Sequence, residues 1–594
     1  MHYDQGANGK GRLTGAQYAA GSTTYAYDSQ GHLSQESQIV DKVTLTTTYT
    51  RNAAGQVVRA VLPSGKVLNY AYNANGQVAQ ISLNGAALIT GITYQAFGPA
   101  SGWSALGQAH RRSFNLDGHV TGITTPDLNI TMGYDQAERL STLQEGKLGL
   151  QRFGYAGNGW LDRYTFTDGI TGRYDFDPSG NRTAQRDGVK GTVTSVIAGN
   201  SNQVTSVTKN NGKTVPMRHD LAGNLTFDGV QDVELSYDGA NRTSGVKNKG
   251  TQYRYNHADQ RVEKLGPGTR GVGKEIYAYD LSGLMGGVYG PDAKPLWETV
   301  RLDGAPVAVL GGDGKAYAAH PDYRGAPIRL NGANGAMVWD WQASGPWADV
   351  SPLHYTPGLS AAFPFHYRER LPGQFYDDET DMNYNGARIY NMHLGRFNQP
   401  DPVLQLDGLN SYNIDNNNPV GFVDPDGRTA DPIGYGASMT GSRAEQAYRE
   451  AAQAYTQPQT ETSWGEVAAQ GFGTGVMAAA DGMNPFGNPF YDAGAYSDSD
   501  PGAEGAYFIG QRTVDVGLAL LLRNQYNLGR EICIGKNLRI APFGNRTGHP
   551  LGELPHYHRR GAPDINGETP KGQGIKRHRP WERKSSDTNF MNRL

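Results

Sequence analysis

Cysteine is almost absent from this 594-residue chain. The single Cys533 excludes an internal disulfide framework, so whatever holds the fold together is non-covalent. Long apolar runs are missing too. The opening stretch MHYDQGANGKGRLTG has no apolar centre of the kind a secretory leader carries, and VDVGLALLL (514–522) is too short to cross a bilayer. The expectation is neither a cleaved leader nor a membrane anchor. Charge is sparse at 19% Asp, Glu, Lys and Arg, and phenylalanine (17) is half as frequent as tyrosine (34). With 80 glycines as well, that composition suits many short strands joined by tight turns better than helical bundles.

What is abundant is a repeated phrase. An aromatic residue, Asp or Asn, two or three small residues, Gly or Asn and then a polar–apolar alternation recur as YAYDSQGHL (Asp28), YTRNAAGQV (Asn52), YAYNANGQV (Asn73), RHDLAGNLT (Asp220), LSYDGANRT (Asp238), YRYNHADQRV (Asn256) and YAYDLSGLM (Asp280). Neighbouring markers lie 21 apart (52 to 73), 18 apart (220 to 238 and 238 to 256) and 24 apart (256 to 280), about the length of one β-hairpin. The phrase has a physical logic. Alternating aromatics face one side of a strand, Asp or Asn starts a turn by bonding its own backbone, and Gly supplies the positive φ that ends it. One such hairpin cannot bury its apolar face alone, whereas a stack of them makes a continuous sheet, which is expected to curl and coil.

The repeats resemble the Rhs/YD-repeat family. The resemblance becomes specific over 300–347 and over LPGQFYDDETDMNYNGARIYNMHLGRFNQPDPVLQLDGLNSYNIDNNNPVGFVDPDG (371–427), which is similar to that family's repeat-associated core. It implies a mostly β fold in which hairpins wind into a hollow, cage-like shell closed by the core. It also implies a variable C-terminal segment held inside, typically a toxin delivered by a bacterial secretion apparatus such as the type VI system, with a cognate immunity protein in the producer. The expected organisation is a repeat shell over 1–299, the core over 300–427, a helical and Gly/Ala-rich linker over 428–505 and a small α+β toxin domain over 506–594. The protein is then expected to be secreted into target cells and cytoplasmic in the producer before export.

The core ends in two Asp-Pro dipeptides, Asp401-Pro402 and Asp424-Pro425. Two carboxylates brought together can share a proton, one staying protonated as acid while the other activates water. In the resembled family such a pair cuts the chain just after the DPxG phrase. Here Leu404 stands where a glycine is usual, and Arg428 where an apolar residue usually flanks the cut. Two Asp-Pro turns that merely start bends are the competing reading.

Beyond the core the β phrase stops, and SRAEQAYREAAQAY (442–455) favours helix. From Gly529 to the end, thirteen Lys or Arg face six Asp or Glu, so this tail is +7 while the preceding 528 residues are −10. A basic module on an acidic carrier points to a polyanionic target, with nucleic acid the commonest. EICIG, NLRIAPFG and LPHYHRR read as short strands. On the third, His556, His558 and Arg560 project to one face while Tyr557 and Arg559 face the other way.

Two chemistries use such a set. In metal-free RNA cleavage, His556 and His558 serve as base and acid, joined by His578, and Arg546, Arg559, Arg560, Lys576, Arg577 and Arg579 clamp the phosphate while Tyr557 stacks a base. Histidine suits the task because its unperturbed pKa is about 6.5. An HNH-like DNase would instead bind a divalent ion through neighbouring imidazoles, but no histidine follows His578. The favoured expectation is a metal-independent RNase with no cofactor and RNA as partner. A metal-dependent DNase, an ADP-ribosyltransferase and a structural or adhesive protein with an inert tail remain as alternatives. The blander reading of His556 and His558 is a half-buried pair bonded to backbone carbonyls, and His549 before Pro550 reads as structural.

Overall fold

The computed structural model describes residues 1–433, apart from 97, 147–148, 167–168, 170, 189–190, 268–272, 342–345, 348–366 and 403–409, together with four short strands near the C-terminus. The chain divides into two compact units, Met1–Ala447 and Tyr448–Leu594.

The first unit is built on one antiparallel ribbon of 33 strands among the described residues, from His2–Tyr3 to Met337–Asp340, each paired with its neighbours in the chain. Among the described residues the ribbon is open, its first and last strands each pairing on one side only. It extends through 300–340, the first stretch that carries the family resemblance.

The repeated phrase builds the same turn each time. The Asp28 carboxylate accepts the backbone N–H groups of Gln30 and His32, both at 2.9 Å, and Gly31 takes φ +86°. Asn52, Asn73, Asp177, Asp220, Asp238, Asn256 and Asp280 repeat these bonds to the residues two and four positions on. The strand register slips by one residue at the aromatic before the turn, as between Ala26 and Tyr27 or Ala278 and Tyr279, and such bulges increase the local twist.

The tyrosine preceding the turn has a further role. Tyr72, Tyr134, Tyr155, Tyr237, Tyr255 and Tyr279 donate their hydroxyls to the carbonyls of Val57, Val120, Leu140, Leu225, Thr243 and Arg261, at 2.7 to 2.8 Å. Each acceptor is the fifth residue after the preceding repeat's turn marker, so every tyrosine ties its own turn to the strand that leaves the one before. Phenylalanine cannot make this bond, which gives a reason for tyrosine at these positions.

The ribbon returns on itself. Gln38 donates to the Tyr277 carbonyl at 2.9 Å, 239 residues away, Gln108 to Gly332 at 2.8 Å across 224, and Arg329 to Asp127 at 3.1 Å across 202. The layers thus juxtaposed bury apolar residues of both, as where Leu68, Ile81 and Trp103 pack with Val300, Val307 and Leu310.

Against the ribbon sits a small four-stranded sheet, Gln374–Asp377, Met382–Asn385, Arg388–Asn391 and Arg396–Phe397. The sheet and the segment that follows it meet the repeat turns through polar side chains: Tyr412 donates to Gly223 O at 2.7 Å, Asn417 to Gly180 O at 2.9 Å and Arg396 to Asn202 O at 2.6 Å. Buried ions add to the seam. Arg261 makes a bidentate pair with Asp377 at 2.6 and 3.1 Å, and Lys264 lies 2.7 Å from Glu379.

In the second unit, Ile532–Ile534, Leu538–Ala541, His556–Arg559 and Lys576–His578 form a four-stranded antiparallel sheet. The expected helix at 442–455 and Leu404 lie outside the described residues. Among the described residues no helix is long and apolar enough to cross a membrane.

Candidate self-cleavage site and terminal strands

Asp401 and Asp424 converge, and an arginine stands between them. One Arg388 Nη lies 3.5 Å from Asp401 Oδ2 and the other 3.2 Å from Asp424 Oδ2. All three side chains are buried, and the guanidinium lies 3.6 Å above the Phe397 ring. Arg388 Nε donates to the carbonyl oxygen of Gly427. The same guanidinium therefore touches both carboxylates and the peptide group at the end of DPDG.

The backbone leaves little slack here. Asn385 Nδ2 donates to Asp424 O and Ala387 N to Asp426 O, both at 2.9 Å. A Cβ on Gly386 would lie 2.2 Å from Asp426 O, and one on Gly373 1.7 Å from Pro425 O, so both glycines are required by the close passage of the 424–427 segment. On the far side of Gly427, the backbone N–H of Arg428 is shared between Asp424 Oδ1 at 2.9 Å and Asp426 Oδ1 at 3.0 Å. The Arg428 side chain reaches out to Asp259, at 3.5 Å, on the repeat turn that begins at Asn256.

Burial pushes the Asp424 carboxyl well above the usual carboxylate range, with Arg388 opposing and Asp426 and Asp415 adding to the rise. The sequence pointed to Asp401 and Asp424 and missed Arg388 and Asp426. Asp426 was legible as the third letter of DPDG, a carboxylate two residues from Asp424; Arg388, 36 residues away in sequence, carried no local signal.

In the second unit, the register aligns His558 with Arg539 on one side and Arg577 on the other. Tyr557 lies opposite Ile540 and His578, Arg559 opposite Leu538 and Lys576, and His556 opposite Ala541. Rows alternate along a strand, so His556 and His558 share one alternation and His578 belongs to the other. Arg546, Arg560 and Arg579 lie outside the described residues. Among the described residues no cluster of three or more His, Cys, Asp or Glu could hold a metal ion.

No family model matches the chain. It is 28% identical over 281 residues to the tRNA3(Ser)-specific nuclease WapA of Bacillus spizizenii, a match over 45% of this chain and 11% of that protein. It is 25% identical over 443 residues to the double-stranded DNA deaminase toxin A of Burkholderia cenocepacia, over 68% of this chain and 30% of that protein. The chain thus spans between about a tenth and a third of the length of these curated relatives. Among solved structures, a crystal structure of TcdB2-TccC3-Cdc42 superposes with a TM-score of 0.59 at 17% identity, over 71% of this chain and 24% of that one. A Tc holotoxin pore of Photorhabdus luminescens gives 0.60 at 17% identity, over 73% and 24%.

The open ribbon of tyrosine-locked turns, with a small polar sheet seated on them, is the fold of an Rhs-type β-shell. The relatives include proteins named as toxins, which agrees with the resemblance of the repeats and core to the Rhs/YD-repeat polymorphic toxin family. The relatives named above are a nuclease and a deaminase, so similarity to them does not specify an activity for this chain.

Proposed function

We propose that this chain is the shell and effector of an Rhs-type toxin, and that the shell cuts its own chain between Gly427 and Arg428 to free the C-terminal segment it encloses. The observation that carries the reading is the threefold engagement of Arg388 with Asp401, Asp424 and the Gly427 carbonyl. A guanidinium donor on that oxygen stabilises the negative charge that develops there when water adds to the carbonyl carbon. Asp401, paired with Arg388, takes a proton from the attacking water. Asp424, kept protonated by burial, is placed to supply the leaving nitrogen.

The test is expression of the full chain followed by denaturing electrophoresis and sequencing of the new N-terminus. Two fragments with a terminus at Arg428 are expected, and a single band for Asp424→Asn and Asp401→Asn. Removing one such oxyanion donor costs about 10²- to 10³-fold in rate, so Arg388→Gln is expected to leave the chain intact over hours. An uncut wild-type chain under the same conditions would end this reading.

The freed segment is proposed to be a nuclease, with RNA favoured. Its support is the tail's +7 charge, the register of His558 between Arg539 and Arg577, and the nuclease named among the relatives. His556 and His558 exchange protons with the ribose 2′-oxygen and the leaving 5′-oxygen, with His578 as a further candidate. Tyr557, Arg559, Lys576 and Arg577, joined by Arg546, Arg560 and Arg579, hold the substrate. A cognate immunity protein and a secretion apparatus are the partners this reading requires, and target cells are its destination. Incubating residues 506–594 with total RNA and plasmid DNA, with and without EDTA, tests it. RNA degraded in both conditions is expected; DNA cut only without chelator would favour the metal-dependent alternative, and intact nucleic acids would remove both.

A further inference from the structure

We propose that Asp426, with Asp424, forms the proton-sharing carboxylate pair that protonates the Arg428 nitrogen as the Gly427–Arg428 bond breaks. The inference rests on the self-cleavage reading above and adds a carboxylate to it, because Asp401 and Asp424 both face the Arg388 guanidinium while Asp426 faces the scissile nitrogen.

The geometry makes the distinction. Two carboxylates that share a proton must contact each other. Asp401 and Asp424 each face a different nitrogen of Arg388, at 3.5 and 3.2 Å, so each has a cationic partner. Asp426 is the carboxylate that meets Asp424 at a shared donor. Both members of that pair accept from the Arg428 N–H, at 2.9 and 3.0 Å, so both are within reach of the nitrogen that becomes the new amino terminus. Asp424 is buried and Asp426 half-buried, so Asp426 connects the pair to solvent. Burial and the neighbouring Asp426 both oppose ionisation of Asp424.

The step balances as a simple hydrolysis. Water oxygen bonds to the Gly427 carbonyl carbon and one water proton passes to Asp401. The carbon–nitrogen bond breaks, its electron pair remains on the Arg428 nitrogen, and the proton held by Asp424 and Asp426 moves to that nitrogen. The products are a Gly427 carboxyl group and an Arg428 amine, with no oxidant, metal or cofactor consumed. Each chain is cut once, so the pair need not be reset.

The test uses full-length chain made by cell-free translation, with synthesis stopped and samples moved to buffers from pH 5 to 9 before denaturing electrophoresis. Wild type is compared with Asp426→Asn, Asp426→Glu, Asp424→Asn and Asp401→Asn. Asp426→Asn is expected to cut at least tenfold more slowly at pH 8 and to lose cutting at a lower pH than wild type, because Asp424 then ionises more readily. Asp426→Glu is expected to restore cutting and the wild-type pH profile. A purely structural role would slow cutting at every pH alike, and that outcome overturns the proposal. So does cutting by Asp426→Asn at wild-type rate and profile; if Asp424→Asn and Asp401→Asn are dead in the same experiment, the self-cleavage reading survives without Asp426. A wild-type chain that is never cut removes both.

Discussion

The Arg261 guanidinium and the Asp377 carboxylate meet in a bidentate pair at 2.6 and 3.1 Å, essentially without solvent exposure, and bind the small core sheet to a strand of the ribbon 116 residues earlier. The Tyr384 ring lies 4.2 Å from the same guanidinium, and the Tyr384 hydroxyl accepts the Arg261 backbone N–H at 2.9 Å. Removing one partner of such a pair leaves a buried charge uncompensated, at a cost of about 3–5 kcal/mol. Asp377→Ala is expected to release the core sheet before the ribbon melts, seen as proteolysis within 371–427 under conditions where wild type resists. Replacing Arg261 and Asp377 together with apolar residues should restore much of that resistance, since no unpaired charge remains.

The tyrosine locks give a smaller and repeated effect. Tyr279→Phe removes the donor to Arg261 O and leaves that carbonyl without this hydroxyl bond. The expected loss is about 1 kcal/mol, read as a lower urea midpoint for the ribbon. Substitutions at Tyr237 and Tyr279 lie in different repeats and should add nearly independently.

The turn, its Asp or Asn and its positive-φ glycine were legible in the sequence because all their partners lie within four residues. The hydroxyl lock was not, since its acceptor sits 12 to 18 residues back in the neighbouring repeat. Asp401 and Asp424 could be found from their Asp-Pro context. Arg388 could not, because an arginine in a run reading NYNGARIYN looks like one more polar strand residue until the fold buries it. Nor could the sequence show that both of the expected proton-sharing partners face that arginine. Such facts depend on long-range packing, to which local propensity is blind.

Where two layers of the ribbon meet, Trp103, His110 and His320 stack with ring centroids 4.1 and 5.8 Å apart. Both histidines are fully buried, and neither ring nitrogen of either has a hydrogen-bond partner among the described residues. Burial holds the His110 pKa well below the ordinary value, with Arg112 and His320 adding to the effect. Burial also lowers His320 to about 4, with Arg329 lowering it further and Asp127 opposing. The unfolded chain binds protons at these sites below about pH 6.5 while the native state resists until a lower pH, so stability falls as pH drops. His320 alone contributes a loss of roughly 3 kcal/mol between pH 6.5 and 4. Thermal unfolding of the cut-deficient Asp424→Asn chain should show a melting temperature declining across that window, with a shallower decline when His320→Gln is added.

The residue after the proposed cut departs from the apolar type usual in the family, and the structure separates its backbone from its side chain. The Arg428 N–H is held by Asp424 and Asp426, whereas its guanidinium lies 3.5 Å from Asp259, a partly exposed carboxylate that also pairs with Arg242 at 3.0 Å. A partly exposed pair of that kind contributes about 0–1 kcal/mol, so Arg428→Ala is expected to cut within about fivefold of wild type. Arg428→Pro removes the N–H that both carboxylates bind and is expected to leave one intact band. If the alanine variant were also uncut, the side chain rather than the peptide nitrogen would be what the shell holds, and Asp259→Ala would then have to fail in the same way.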